Sequence, residues 1–240
     1  MIFKDNFKIK LNDVNEKLEV KNKALFECLE NVAARHADSA NHGIKDIPAI
    51  GTTWMLLCWQ LEVIKRPKYG DVLEIHTWAR GVERCCTYRD YEIYVNGKKC
   101  VIATSKWLLV DINRGRPTRV GDDVISRYEP EYGKSVFERE ELDKLKELEI
   151  YDEKVDFKVR KSDIDINGHM HNLNYLDIID EVLTAEELKE EAKFVRIDYK
   201  KEIKLEDKIE VSKKVEENNL YFLIGDKEND IIHSIVEMKN

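Results

Sequence analysis

Two stretches far apart in this chain share one strand, turn and strand pattern without a gap. Setting Leu61-Glu62-Val63 against Ile197-Asp198-Tyr199 brings Gly70-Asp71 onto Glu206-Asp207 and Leu73-Glu74-Ile75 onto Ile209-Glu210-Val211. Any two antiparallel hairpins alternate in this way, so the match gains its weight from what precedes it. In the first half, Leu25, Leu29, Val32, Ala33 and His36 recur at three- and four-residue steps between Lys23 and Asp38, which gives a helix one apolar face. Asn41-His42-Gly43 offers its stop. A second helix is predicted from about Asn172 to Leu183. A unit of one long helix and consecutive antiparallel strands, built twice, restricts the chain to an α+β layout.

The remaining strands follow from alternation and turn signals. They are predicted near residues 5–12, Gly51 to Ile64, Val72 to Arg80, Thr87 to Val95 and Val101 to Val110, with Asn96-Gly97 as a hairpin turn. In the second half they fall at Val155 to Val159, Phe194 to Ile203, Lys208 to Val215, Leu220 to Ile224 and Ile231 to Met238. The charge-dense stretch between carries Leu142, Leu145 and Leu148, which predicts a linker with a short surface helix between Phe137 and Leu148. The expected organisation is an N-terminal domain over 1–126, a linker over 127–154 and a C-terminal domain over 155–240. A long helix wrapped by an antiparallel sheet resembles the hot-dog arrangement, here as a tandem double hot-dog. A duplicated chain already contains a dimer-like pair, so monomer and homodimer both stay open.

Composition removes several classes of function. With 42% apolar residues the 240-residue chain can bury a core, and 48 acidic against 40 basic side chains give a net charge of -8 that repels a phosphate backbone. Nucleic acid is therefore not an expected partner. Cys28, Cys58, Cys85, Cys86 and Cys100 are odd in number, confined to the first half and without Cys-x-x-Cys spacing, so they read as reduced, packed thiols with no metal site. No apolar run approaches a membrane span, and Met1-Ile2-Phe3-Lys4-Asp5 is unlike a signal peptide, so the expected compartment is the cytoplasm, with no membrane insertion.

The densest polar cluster runs from Arg160 to Asn172, between a strand and the second helix. Asp, Asn and Gly are ordinary turn and capping residues, so taken by itself this loop reads first as a helix cap. Against that, Asp165, Asn167 and His169 sit at alternate positions, one side of an extended segment. Asp can orient an imidazole, and Asn can donate to a developing oxyanion.

The run Arg160-x-Ser162-Asp163-Ile164-Asp165-Ile166-Asn167-Gly168-His169-Met170-His171-Asn172-x-Asn174-Tyr175 resembles the R-x-S-D-x-D-x-N-x-H-V-N-N-x-x-Y signature of acyl-acyl-carrier-protein (acyl-ACP) thioesterases. Trp54, Pro67-x-x-Gly70-Asp71, Thr77-Trp78, Arg89-Asp90-Tyr91 and Ser105-x-Trp107 extend the resemblance over almost the whole chain. It implies hydrolysis of fatty acyl-ACP to free fatty acid without a cofactor, with acyl carrier protein as partner. It also implies an acyl-chain pocket in the first half. The net negative charge does not exclude a Lys/Arg-lined entrance for an acidic carrier. Asp165, Asn167 and His169 fall on the family's catalytic positions, and Lys200-Lys201-Glu202-Ile203 matches its Arg-x-Glu-Cys segment, which makes Glu202 the fourth catalytic candidate.

Two departures matter. Ile203 stands where many plant members have cysteine, and the second half has no cysteine at all, so a thiol nucleophile is excluded. Glu202 then activates water or attacks directly. His171-Asn172 replaces an Asn-Asn pair. The rival readings are an acyl-CoA thioesterase of the same fold, a dehydratase, and a module that binds acyl groups without hydrolysing them.

Overall fold

The computed structural model of the chain describes residues 1–139, 141–226 and 228–240, and forms two compact units, Met1–Leu142 and Asp143–Asn240. In the first, β1 (Phe3–Lys8), α1 (Asn22–Ser39) and the short α2 (Ile47–Ile50) precede β2 (Thr52–Val63), β3 (Val72–Glu83), β4 (Cys86–Val95) and β5 (Lys98–Asp111). The two-residue β6 (Arg116–Pro117) pairs with β5, and a single helical turn, α3 (Asp122–Ile125), follows. The second unit contains β7 (Glu153–Lys158), α4 (Asn174–Asp180), β8 (Phe194–Tyr199), β9 (Lys208–Glu216), β10 (Asn219–Asp226) and β11 (Ile231–Lys239).

Spatial order establishes the duplication that the hairpin match predicts. The first unit's sheet runs β1-β3-β4-β5-β2 and the second unit's runs β7-β9-β10-β11-β8, with antiparallel neighbours throughout. Each unit thus sends its first strand to one edge, inserts a helix, places the next strand at the other edge and fills the middle with a meander.

The apolar stripe of α1 explains its seat. Leu25, Phe26, Leu29 and Val32 are completely buried, and Phe26 meets the Trp59 ring of β2 at 5.4 Å between centroids. Each such side chain contributes about 1.5–3 kcal/mol by leaving water. Asn96 and Gly97 both take positive φ, 49° and 73°, the backbone of a tight hairpin turn between β4 and β5. All five cysteines are free thiols, and burial pushes Cys28 up to about 12 and Cys100 up to about 11. No helix is long and apolar enough to cross a membrane among the described residues.

Four elements differ from expectation. The first strand ends at Lys8 because the Asp13 carboxylate accepts from the Lys10 N–H at 2.7 Å and starts a turn of 3-10 helix over Leu11–Asp13. The second helix, α4, has only seven residues. Beyond it Thr184 and Glu187 cap each other, with Thr184 N–H donating to the Glu187 carboxylate at 2.7 Å and Glu187 N–H to the Thr184 hydroxyl at 3.2 Å, so a fresh turn begins instead of the old one continuing. The expected linker helix is absent among the described residues of 137–148, of which Glu140 lies outside the described set. Leu142, Leu145 and Leu148 are each half-buried between exposed neighbours, because every third residue also shares a side in an extended chain of three residues per turn. Finally, β8 stops at Tyr199, which leaves Glu202 in a loop rather than on a strand.

Candidate active site

The loop between β7 and α4 is a built structure. Asp163 is 3% exposed and takes the Arg160 N–H at 2.8 Å and the Arg160 guanidinium at 2.9 Å, closing the 3-10 turn Lys161–Asp163. Ile164 and Met170 then pair as an isolated bridge, and Asp165 sits just inside it. Its N–H donates to the His169 carbonyl at 2.8 Å, while its carboxylate accepts from the main-chain N–H groups of Asn167 (2.8 Å) and His169 (3.3 Å) and from the Asn167 carboxamide (3.3 Å). Gly168 turns the chain with φ of +79°, a conformation in which a side chain is strained. The segment is therefore a tight turn around a carboxylate, not the extended run that alternation suggested. Asp165 holds His169 through its backbone N–H rather than through its ring. Asp165 and His169 are half-buried, and Asn167 is exposed.

Glu202 joins this loop through its neighbours. The Met170 N–H donates to the Ile203 carbonyl at 2.8 Å, so the residues after His169 and after Glu202 are bonded to each other. On the other side of Glu202, the Lys201 carbonyl accepts from the Tyr175 hydroxyl at 3.4 Å and from Nδ1–H of His233 at 3.2 Å. Lys200 N–H donates to the His233 carbonyl at 2.8 Å. Glu202 itself is exposed. Burial, helped by the Glu202 charge, pushes the Tyr175 hydroxyl far above its ordinary range. Tyr175 and His233 are the supports that sequence reasoning missed. Tyr175 lies within the quoted signature but carried no assigned role, and His233 lies in a strand with no motif around it.

The first unit contains a copy of this loop. Residues 7–22 match residues 157–172 without a gap, with Phe7 on Phe157, Lys8 on Lys158, Asp13 on Asp163 and Asn22 on Asn172. The hydrogen bonds repeat: Asn15 takes the N–H groups of Lys17 (3.0 Å) and Glu19 (3.1 Å) as Asp165 takes those of Asn167 and His169. Val20 N–H donates to Pro67 at 2.9 Å as Met170 does to Ile203. Leu18, with φ of 59°, takes the place of Gly168. Direct comparison of the two segments was the sequence signal for this copy. It carries Asn15, Lys17 and Glu19 in place of Asp165, Asn167 and His169.

A cavity of about 150 Å³ opens in the first unit, lined chiefly by Ala33, Ala37, Trp54, Ala79, Trp107 and Tyr128. It has the size of a pocket that takes a benzene-sized group. Of the apolar run in β2, Trp54 reaches this cavity, whereas Trp59 is wholly buried core against Phe26, Tyr91 and Trp107. Arg89, also in the lining, donates to Nδ1 of His36 at 2.8 Å and to the Thr77 hydroxyl at 3.2 Å. His36 and His42 are both buried, His36 completely, in keeping with its place on the apolar face of α1.

Burial, then the Arg89 charge, lowers His36 to about 3. The unfolded chain protonates this ring near pH 6.5 and the folded chain does not, so its contribution to stability is intact above about pH 6.5 and is lost as the pH falls toward about 3. The urea midpoint of the wild type should drop more steeply on acidification from about pH 7 to about pH 5 than that of His36→Asn. Parallel slopes would overturn this reading.

The family signature described as the acyl-ACP thioesterase N-terminal domain matches residues 1–128, and the one described as the acyl-ACP thioesterase C-terminal domain matches residues 145–237. The chain is 25% identical over 225 residues to oleoyl-acyl carrier protein thioesterase 1, chloroplastic, of Arabidopsis thaliana, covering 87% of this chain and 62% of that protein. It is 26% identical over 207 residues to the palmitoyl-acyl carrier protein thioesterase, chloroplastic, of Cuphea hookeriana, covering 78% and 49%. This chain thus spans less than two thirds of the length of these curated relatives.

Among solved structures, the 12:0-ACP thioesterase from Umbellularia californica superposes with a TM-score of 0.87 at 18% identity, covering 99% of this chain and 96% of that one. An acyl-ACP thioesterase from Bacteroides thetaiotaomicron does so with 0.84 at 21%, covering 99% and 97%. These likenesses identify the fold as a tandem double hot-dog.

Proposed function

The chain belongs to the acyl-ACP thioesterase family, and from that premise we propose that it hydrolyses the thioester of fatty acyl-ACP to release the free fatty acid. The observation that carries the reading is the Met170 to Ile203 hydrogen bond, which ties the loop of Asp165, Asn167 and His169 to the segment of Glu202. A thioester carbonyl is already activated, so hydrolysis needs a positioned nucleophile and a stabilised tetrahedral oxyanion. Glu202 activates water or attacks as the nucleophile. Asn167, with its carboxamide at the tip of the turn, and His169 position the reacting groups and stabilise the developing charge. Asp165 fixes both through the turn it organises. Burial keeps the thiols of Cys28, Cys86 and Cys100 protonated, and no cysteine is assigned to this chemistry.

The second unit supplies the hydrolytic residues and the first unit the acyl pocket, for which the 150 Å³ cavity is our candidate. Five free cysteines fit a reducing compartment, and we assign the reaction to the cytoplasm. The deciding measurement is thiol release from acyl-carrier-protein thioesters of graded chain length beside the matching CoA esters. Faster turnover of the carrier-protein forms supports the proposal. Faster turnover of the CoA forms moves the chain to CoA substrates, and saturable binding without thiol release makes it a binding module.

The pocket has its own test. Ala37→Leu puts three more carbons into the cavity, and the chain-length optimum in the same panel should move toward shorter chains, because a close-packed wall yields little to an added side chain. An unchanged optimum would remove the pocket assignment while leaving the hydrolytic residues in place.

A further inference from the structure

The two copies of the loop differ most sharply at the turn that follows. Pro67 in the first unit and Ile203 in the second both accept the loop's N–H, at 2.9 and 2.8 Å. The next residues also agree, with Lys68 N–H donating to Asp71 at 2.9 Å and Lys204 N–H to Asp207 at 2.8 Å. By this register Arg66 occupies in the first unit the position of Glu202 in the second. The Arg66 guanidinium reaches back to the loop and donates to the Val20 carbonyl at 2.9 Å and to Oδ1 of Asn22 at 3.0 Å. The counterparts of those two acceptors are the Met170 carbonyl and the Asn172 carboxamide.

Charge at this position is reversed between the copies, yet asparagine is retained. An asparagine side chain suits both, since its Oδ1 accepts from a guanidinium and its Nδ2–H donates to a carboxylate. A backbone carbonyl can only accept, so Met170 has nothing to offer an ionised Glu202. Asn172 is therefore the counterpart left to hold it. Glu is shorter than Arg by about two bonds, and Asn172 has the freedom to meet it, being half-buried where Asn22 is 6% exposed. Its main chain is anchored, since the Tyr199 hydroxyl donates to the Asn172 carbonyl at 3.0 Å. Among the described residues neither the Asn172 carboxamide nor the Glu202 carboxylate is committed to another hydrogen bond.

We propose that Asn172 is the positioning residue for Glu202, donating Nδ2–H to its carboxylate and holding it in one orientation toward the loop of Asp165, Asn167 and His169. The proposal rests on the hydrolytic reading above and adds to it a residue for which that reading assigns no role. A donated hydrogen bond also favours the ionised form of the carboxylate, the form that acts as base or nucleophile.

The test is a double-mutant cycle on the full chain, by steady-state thiol release from an acyl-carrier-protein thioester. Asn172→Ala should lower kcat by about tenfold with KM changed less than about twofold, and should move the acidic limb of the kcat profile to higher pH. Asn172→Asp, an isostere that sets a second carboxylate against the first, should cost more at neutral pH and show the same direction of shift. In a Glu202→Ala background, Asn172→Ala should change the residual rate by less than about twofold, since the carboxylate it serves is gone. Equal fold-losses in both backgrounds, or a wild-type profile for Asn172→Ala, would overturn the role of Asn172 while the hydrolase assignment stands on wild-type turnover. Wild-type protein that releases no thiol overturns both.

Discussion

Glu202→Ala protein should purify with a wild-type thermal melt and release thiol at least about a hundredfold more slowly. The expectation has two halves. Stability is spared because Glu202 is exposed, while the loop around it is pinned by its neighbours, Lys201 to Tyr175 and His233, Ile203 to Met170. Activity is lost because the other carboxylate of the proposed site, Asp165, is engaged by the N–H groups of Asn167 and His169, and the second unit has no thiol. His169→Ala should fall in the same range, since its ring, unlike its main-chain N–H, is not tied to Asp165. Near-wild-type turnover in either variant would remove that residue from the chemistry. Single turnover in heavy-oxygen water bears on the two routes open to Glu202: label recovered in the Glu202 peptide marks an anhydride opened at the glutamyl carbon, whereas a general base, like an anhydride opened at the acyl carbon, sends label to the fatty acid alone.

Asp198→Ala should have the largest effect on the fold, lowering stability by about 3–5 kcal/mol. Arg196 and Asp198 are each 4% exposed on β8, and the guanidinium meets the carboxylate at 2.7 and 2.9 Å. The same carboxylate accepts the Leu145 N–H at 2.9 Å, and Arg196 donates to the Asp143 carbonyl at 2.9 Å. Removing the carboxylate leaves a guanidinium buried without its counter-charge and releases the start of the 143–148 segment. A buried pair contributes little over an apolar isostere, but half a pair is costly. Urea denaturation measures the loss. A value under about 1 kcal/mol would mean that the pair behaves like an exposed surface bridge.

The two halves of the molecule were unequally legible. Hairpins and α1 could be read because their periods, two and 3.6, are imposed by a buried face, and Asn96-Gly97 marks its own turn. The 142–148 segment misled because leucines three apart satisfy a helix and an extended chain alike. The length of α4 turned on a reciprocal cap between Thr184 and Glu187, a local contest that apolar spacing does not register. At the candidate site, residue types were legible and geometry was not. Alternate polar residues implied an extended strip, whereas Asp165 gathers the N–H groups of Asn167 and His169 into a turn. His233, buried on β11, supports the Glu202 loop from a strand far along the chain, a relation that exists only after folding.

Identical subunits are bound by their symmetry, so that a substitution improving one loop alters its mate as well. Fusion of two copies into one polypeptide breaks that bond. Arg66 and Glu202 illustrate this, opposite charges at corresponding positions of the two units. Selection in such a chain can work on one half at a time, and the loop of residues 10–22 is open to variation that a symmetric dimer would carry in both loops at once.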